Sequence, residues 1–174
     1  MVDINFEDKN QNIKYLKEIT LYHSYELIPF DMVRRSLFLF YNELIYKTLR
    51  EFQTDTILYD FIEKSILELV DETTVLTDVH LRFLVNLSRI MGFFPQDNFS
   101  EYDCHFSIDE ACFVHEYFDY PTFLSRDASR YLHQLMTAGF AEAMPPKIVR
   151  NELLHGLLRY FESNNEQIHR IESV

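Results

Sequence analysis

Two thiols and two imidazoles stand close together near the middle of the chain, as Cys104-His105 and Cys112-x-x-His115. Zinc favours four such ligands in a tetrahedral array. The spacing fits no paired knuckle: there is no C-x-x-C and no second half, so buried or loop thiols are the simpler account. Glu116 and Asp119, in EYFDY, lie beside His115. On an acidic chain, scattered surface carboxylates are far commoner than a paired general acid and base. No nucleophile elbow, P-loop, glycine-rich dinucleotide turn or H-E-x-x-H occurs, and three glycines leave little backbone for cradling phosphate. The expectation is a non-enzymatic chain with no cofactor and no metal.

The residues with most to offer a ligand are Arg82 and Arg89. On a helical wheel of 77–91, Val79, Phe83, Leu84, Leu87, Ile90 and Met91 cover one broad arc, and Leu81, Val85 and Ser88 extend it. Only Arg82, Asn86 and Arg89 share the remaining wedge, at i, i+4 and i+7. A helix apolar nearly all round is central and buried. Its two arginines therefore either pair with carboxylates on neighbouring helices, Glu43 or Glu63 for example, or open onto a groove. Such a groove would accept an acidic peptide or a terminal carboxylate between Phe and Leu walls.

The elements that would position them are mostly helical. Ile13, Ile19 and Thr20 make 12–21 (NIKYLKEITL) strand-like. Pro29 then opens a long helix over about 30–52, with Val33, Leu37, Phe40, Leu44, Ile45 and Leu49 at helical spacing. Thr54 or Asp55 caps a second helix carrying Leu58, Phe61, Ile62, Ser65, Ile66 and Leu69. Thr77 or Asp78 caps the third, which Gly92 ends and Pro95 prevents from continuing. The stretch 96–120 is the least regular, with room for a small hairpin around Cys112-Phe113-Val114. Ser125 caps a fourth helix that stops near Gly139, and Pro145-Pro146 opens the last, with Ile148, Leu153, Leu154, Leu157, Leu158 and Phe161. The fold class expected is a compact, mostly α helical bundle with a short N-terminal strand and a small β-hairpin.

A chain of 174 residues suits one domain, and its 47% hydrophobic content, with 16 Phe, 11 Tyr and no Trp, implies a core built around aromatic rings. The net charge of −12 disfavours autonomous binding to a phosphate backbone. Two cysteines do not make a disulfide scaffold, the first residues form no signal peptide, and no apolar run is long enough for a bilayer. A cytoplasmic protein with no membrane contact is expected.

At this point the residues carry a resemblance. The run 37–51 (LFLFYNELIYKTLRE), with Glu43, Tyr46, Leu49, Arg50 and Glu51, resembles the first long helix of the C-terminal domain of the RecO recombination-mediator family, in its Bacteroidetes-type form. The segment 58–69 (LYDFIEKSILEL) is similar to the next helix. The segment 79–95 (VHLRFLVNLSRIMGFFP) resembles the family's HL-x-FL-x-x-LSR-x-LGF-x-P pattern, and 150–161 its closing helix.

The resemblance implies a mediator of recombinational repair that binds the acidic C-terminal tail of single-strand DNA-binding protein, pairs with RecR and helps to load RecA. It implies that 1–28 is the end of an OB-fold whose remainder is absent, with the helical domain over 29–174. DNA contact is then expected only with that missing OB-fold. Location would be the bacterial cytoplasm, at the nucleoid during repair. Arg82 falls at a position resembling a basic residue used for the acidic tail, with Arg89 or Arg50 as secondary charge and Phe83, Leu87 and Phe93 as the apolar pocket. Some relatives carry a four-cysteine zinc site, which two cysteines cannot reproduce. The alternative readings are a metal-binding domain on Cys104 and Cys112, or a purely structural or dimerising helical domain whose arginines are paired internally.

Overall fold

Five helices and two small antiparallel strand pairs make up the computed structural model, which describes residues 2–7, 15–23, 25, 27–48, 56–117, 121–137 and 144–164. Arg50, the proposed caps Thr54 and Asp55, Asp119, the stop at Gly139 and residues 165–174 lie outside the described residues.

The chain begins with β1 (Val2–Glu7), paired antiparallel with β2 (Tyr15–Leu21). The second strand matches the sequence expectation from residue 15 onward. The first was not anticipated, although Val2, Ile4 and Phe6 alternate with Asp3, Asn5 and Glu7 at the period of a strand.

Helix α1 (Met32–Thr48) follows the turn at Pro29. Asp31 begins it: its carboxylate accepts from the backbone N–H groups of Val33 and Arg34, at 2.8 and 3.1 Å. Those hydrogen bonds, that of Arg34 first, hold the Asp31 carboxyl below the usual carboxylate range. Buried Arg34, Tyr41 and Thr48 fall at heptad spacing on its inner face. Arg34 is there as a cap. Its guanidinium donates to the carbonyls of Leu69 and Asp71, satisfying the end of α2 (Thr56–Val70) that no glycine closes.

The expected central helix is α3 (Val79–Ile90). It contacts α2, α4 (Arg126–Thr137) and α5 (Lys147–Asn164), and buries Val79, Leu81, Phe83, Leu84, Val85, Leu87 and Ser88. The Phe83 ring lies between those of Tyr41 from α1, at 3.8 Å, and Phe61 from α2, at 5.1 Å, so one three-ring stack joins three helices. At its far end Gly92 adopts φ +84°. The N–H of Phe93 reaches the Ser88 carbonyl and that of Gly92 the Arg89 carbonyl, the pairing of a Schellman stop.

The irregular stretch contains the expected hairpin, β3 (His105–Ser107) with β4 (Cys112–Val114). Asn98 fastens it by hydrogen bonds in both directions with the Phe113 backbone, each 2.8 Å. Ser125 caps α4 through the Ala128 N–H and is itself held by Glu152 of α5, at 2.6 and 2.8 Å. Gly156 lets α5 approach: a Cβ there would lie 2.5 Å from a methyl of buried Leu124.

Candidate functional site

The face that α3 leaves uncovered is the place where a charged partner could be met, and its two arginines have different surroundings. Arg82 is enclosed by acids. Its guanidinium lies 2.8 Å from Glu68 of α2 and 3.4 Å from Asp78 one turn earlier. The Asp78 side chain is 8% exposed and that of Arg82 24%, so this is a mostly desolvated pair, whereas Glu68 at 37% remains in contact with water. Asp78 precedes the first turn of α3 but makes no side-chain cap hydrogen bond, turning instead toward Arg82. Burial first, then the charge of Asp78, pushes the Tyr131 phenol up to about 12. The partners are therefore not the two acids suggested by the sequence: Glu43 pairs with Lys47 at 2.7 Å and Glu63 with His23 at 3.2 Å.

Arg89 is differently placed. It is exposed, donates to the carbonyl of Met136 near the end of α4 at 3.0 Å, and holds its guanidinium 4.2 Å above the Phe94 ring. Among the described residues no carboxylate pairs with it. A guanidinium has five N–H donors, so one hydrogen bond leaves donors facing solvent. Phe94, Ile90 and Met91, all partly exposed, provide apolar surface beside it.

The aromatic and aliphatic residues expected to wall a pocket are not surface groups. Phe83 is the centre of the three-ring stack and Leu87 is fully buried, so neither presents surface to a partner. The correction has a simple cause: on the wheel Phe83 and Leu87 stand about 100° and 140° from Arg82, on the arc that packs into the core. Phe93 is half-buried against Tyr160 and Phe161, and its carbonyl accepts from the Tyr160 hydroxyl at 2.5 Å. Phe94, missed in the sequence, is the ring that borders the exposed arginine. Its signal was available, because Phe93-Phe94 directly follows the helix-ending glycine and so lies beside the last turn, which carries Arg89.

Cys104 is buried, and Cys112 is half-buried with its thiol 3.8 Å from Glu110. Burial, then the Glu110 charge, pushes that thiol up, away from the thiolate a metal requires. His115 stacks on Tyr102 at 3.8 Å and His105 lies against Tyr117 at 4.7 Å. Among the described residues no group of three or more His, Cys, Asp and Glu could hold a metal ion, and no helix is long and apolar enough to cross a membrane.

Comparison with known proteins bears on what this arrangement belongs to. The sequence model for the C-terminal region of recombination protein O matches residues 29–166. The chain belongs to the RecO C-terminal family. Eight curated proteins match it, each bearing the name DNA repair protein RecO. That of Azobacteroides pseudotrichonymphae genomovar. CFP2 is 26% identical over 180 residues, covering 100% of this chain and 74% of the relative. That of Phocaeicola vulgatus is 30% identical over 103 residues, 59% of this chain and 43% of the relative. That of Christiangramia forsetii is 25% identical over 174 residues, 93% of this chain and 68% of the relative. No solved structure matches the chain. The RecO C-terminal match starts at Pro29, immediately before α1, and so leaves the β1–β2 hairpin outside it.

Proposed function

We propose that this chain serves DNA repair and recombination as a non-catalytic docking domain, binding the acidic C-terminal tail of single-strand DNA-binding protein, RecR, or both, in support of RecA loading. The family match over 29–166 carries the reading. The net charge of −12 supports docking of proteins rather than of DNA by this chain alone.

Local geometry favours Arg89 over Arg82 as the residue that meets the terminal carboxylate. Arg89 has donors open to solvent and apolar surface at Phe94, which suits a peptide ending in an aromatic residue. Arg82 is already neutralised by Glu68 and Asp78, and that observation favours a structural role for it.

The test is fluorescence anisotropy with a labelled acidic peptide ending in proline-phenylalanine, at low and moderate salt. Saturable binding of about micromolar or poorer affinity is expected, weakened by salt. Arg89→Ala should weaken it roughly tenfold, the loss of one charge-assisted contact. Binding unchanged in both Arg89→Ala and Arg82→Ala would remove α3 from the site. No binding by the folded chain would overturn the tail-docking reading.

A further inference from the structure

A peptide whose terminal carboxylate meets Arg89 can leave that residue in two directions. One runs back along the polar stripe of α3, over Asn86, toward the start of the helix. The other runs past Phe94 and over the loop that follows Gly92. The two paths differ in charge, in helix polarity and in how firmly their charges are fixed.

The loop path is acidic throughout. Residues 90–125 contain seven Asp and Glu and neither Lys nor Arg. Asp97 comes first, three residues beyond Phe94, with their Cα atoms at most about 11 Å apart. Its carboxylate is 35% exposed and lies 2.7 Å from His133 of α4. The next two residues hold that carboxylate where it is. Asn98 is hydrogen-bonded in both directions to the Phe113 backbone, and Phe99 stacks on the His133 ring at 4.7 Å. Asp97 therefore cannot swing away from an approaching anion. Helix α4 adds to the repulsion, because the end at which Arg89 meets the Met136 carbonyl is the negative end of its dipole.

The stripe path is neutral. Arg82 and Arg89 together balance Glu68 and Asp78, the two acids beside the stripe. Asn86 between them is half-buried and uncharged, and its amide makes no hydrogen bond among the described residues. It lies about 4.5 Å along the helix axis from Arg89. An extended peptide advances about 3.3 Å per residue, so the one or two residues before the terminal one pass over it. The dipole of α3 favours the same course, since acidic groups carried toward its N-terminal end approach the positive pole.

We infer that the acidic peptide lies along the polar stripe of α3, running from Arg89 over Asn86 toward the start of the helix, and that Asp97 closes the opposite path. The inference rests on Arg89 as the residue that meets the terminal carboxylate. Asn86 is then a second contact, whose amide donates to a peptide carboxylate or carbonyl and accepts from a peptide N–H. Asp97 is a specificity-determining residue that sets the direction of the bound chain, and His133 positions it.

Equal charges placed on the two paths of the full chain test this. Asn86→Lys and Gln96→Lys each add one positive charge, the first on the stripe and the second on the exposed loop beside Phe94. Two labelled peptides ending in proline-phenylalanine are compared by fluorescence anisotropy, one acidic and one with Asn and Gln in place of its Asp and Glu. At about 0.15 M salt exposed charges act over about 8 Å. Asn86→Lys should then tighten the acidic peptide about threefold or more, and Gln96→Lys by less than about 1.5-fold. Asn86→Asp should weaken it by about threefold. The neutralised peptide should respond to each substitution by less than about twofold, with unchanged helical circular dichroism. Equal or stronger tightening by Gln96→Lys, or an equal response of the two peptides to the changes at Asn86, overturns the direction and leaves docking at Arg89 intact. Acidic-peptide binding that Arg89→Ala leaves unchanged overturns that docking, and this inference with it.

Discussion

Arg82→Ala is the substitution in which loss of structure and loss of binding are most easily confused. Removing the guanidinium leaves Asp78, 8% exposed, without its countercharge. Breaking a fully buried ion pair by deleting one partner costs about 3–5 kcal/mol. Two facts reduce that figure. Arg82 is 24% exposed, and its shorter contact is to Glu68, which water reaches and whose share is therefore below ~1 kcal/mol. The longer contact to Asp78, at 3.4 Å, carries the desolvation penalty. A loss of about 2–3 kcal/mol follows, or a fall in Tm of roughly 5–10 °C for a chain of this size. Urea unfolding followed by circular dichroism measures it. Glu68→Ala should cost less than ~1 kcal/mol, since Arg82 can still serve Asp78. A double-mutant cycle should accordingly show stronger coupling of Arg82 to Asp78 than to Glu68. If Arg82→Ala lost less than ~0.5 kcal/mol, Arg82 would not be the countercharge of a desolvated acid, and its pairing would be incidental.

Other predictions concern the termini and titrating groups of the same bundle. Arg34→Met keeps the aliphatic stem but removes two donors from the carbonyls of Leu69 and Asp71, and should cost about 2–3 kcal/mol in the same unfolding assay. His80 is held neutral in the fold chiefly by burial, which lowers its pKa below 6.5. The unfolded chain then binds the proton first. Stability is full above pH 6.5 and declines as pH falls below it toward the folded pKa, by at most ~1.4 kcal/mol per unit. His80→Gln should flatten the part of a denaturation profile below pH 6.5, a result that an unchanged profile would contradict.

The helical frame was legible in the sequence because its signals are local. Pro29, Gly92, Ser125 and Pro145-Pro146 punctuate helices whose apolar residues recur at helical spacing, and the structure starts and stops its helices beside them. The small hairpin at Cys112 was legible for the same reason. The candidate site was less so, since pairing is a property of neighbours distant in sequence. Nothing local distinguishes Glu68 from Glu63 as the partner of Arg82; that choice depends on how α2 is rotated against α3. Nor does a wheel show that Phe83 is sealed between two rings while Arg89 stands open. Arg34 could have been found. An arginine i, i+3 and i+7 with Leu37 and Tyr41, on the apolar stripe, has to be stationed at a helix end. The β1 strand carries only six alternating residues, too short a run to mark a strand without the β2 strand that pairs with it.

The three-ring stack also sets a limit on motion. The Phe83 ring is clamped on one side by a ring from α1 and on the other by a ring from α2, at 3.8 and 5.1 Å. A half-turn of the ring about its own axis sweeps out more volume than a close-packed interior provides. It can occur only while Tyr41 or Phe61 has swung aside, and with it the helix that carries it. The exchange of the two edges of one phenyl ring thus counts the moments at which the first two helices loosen their hold on the third.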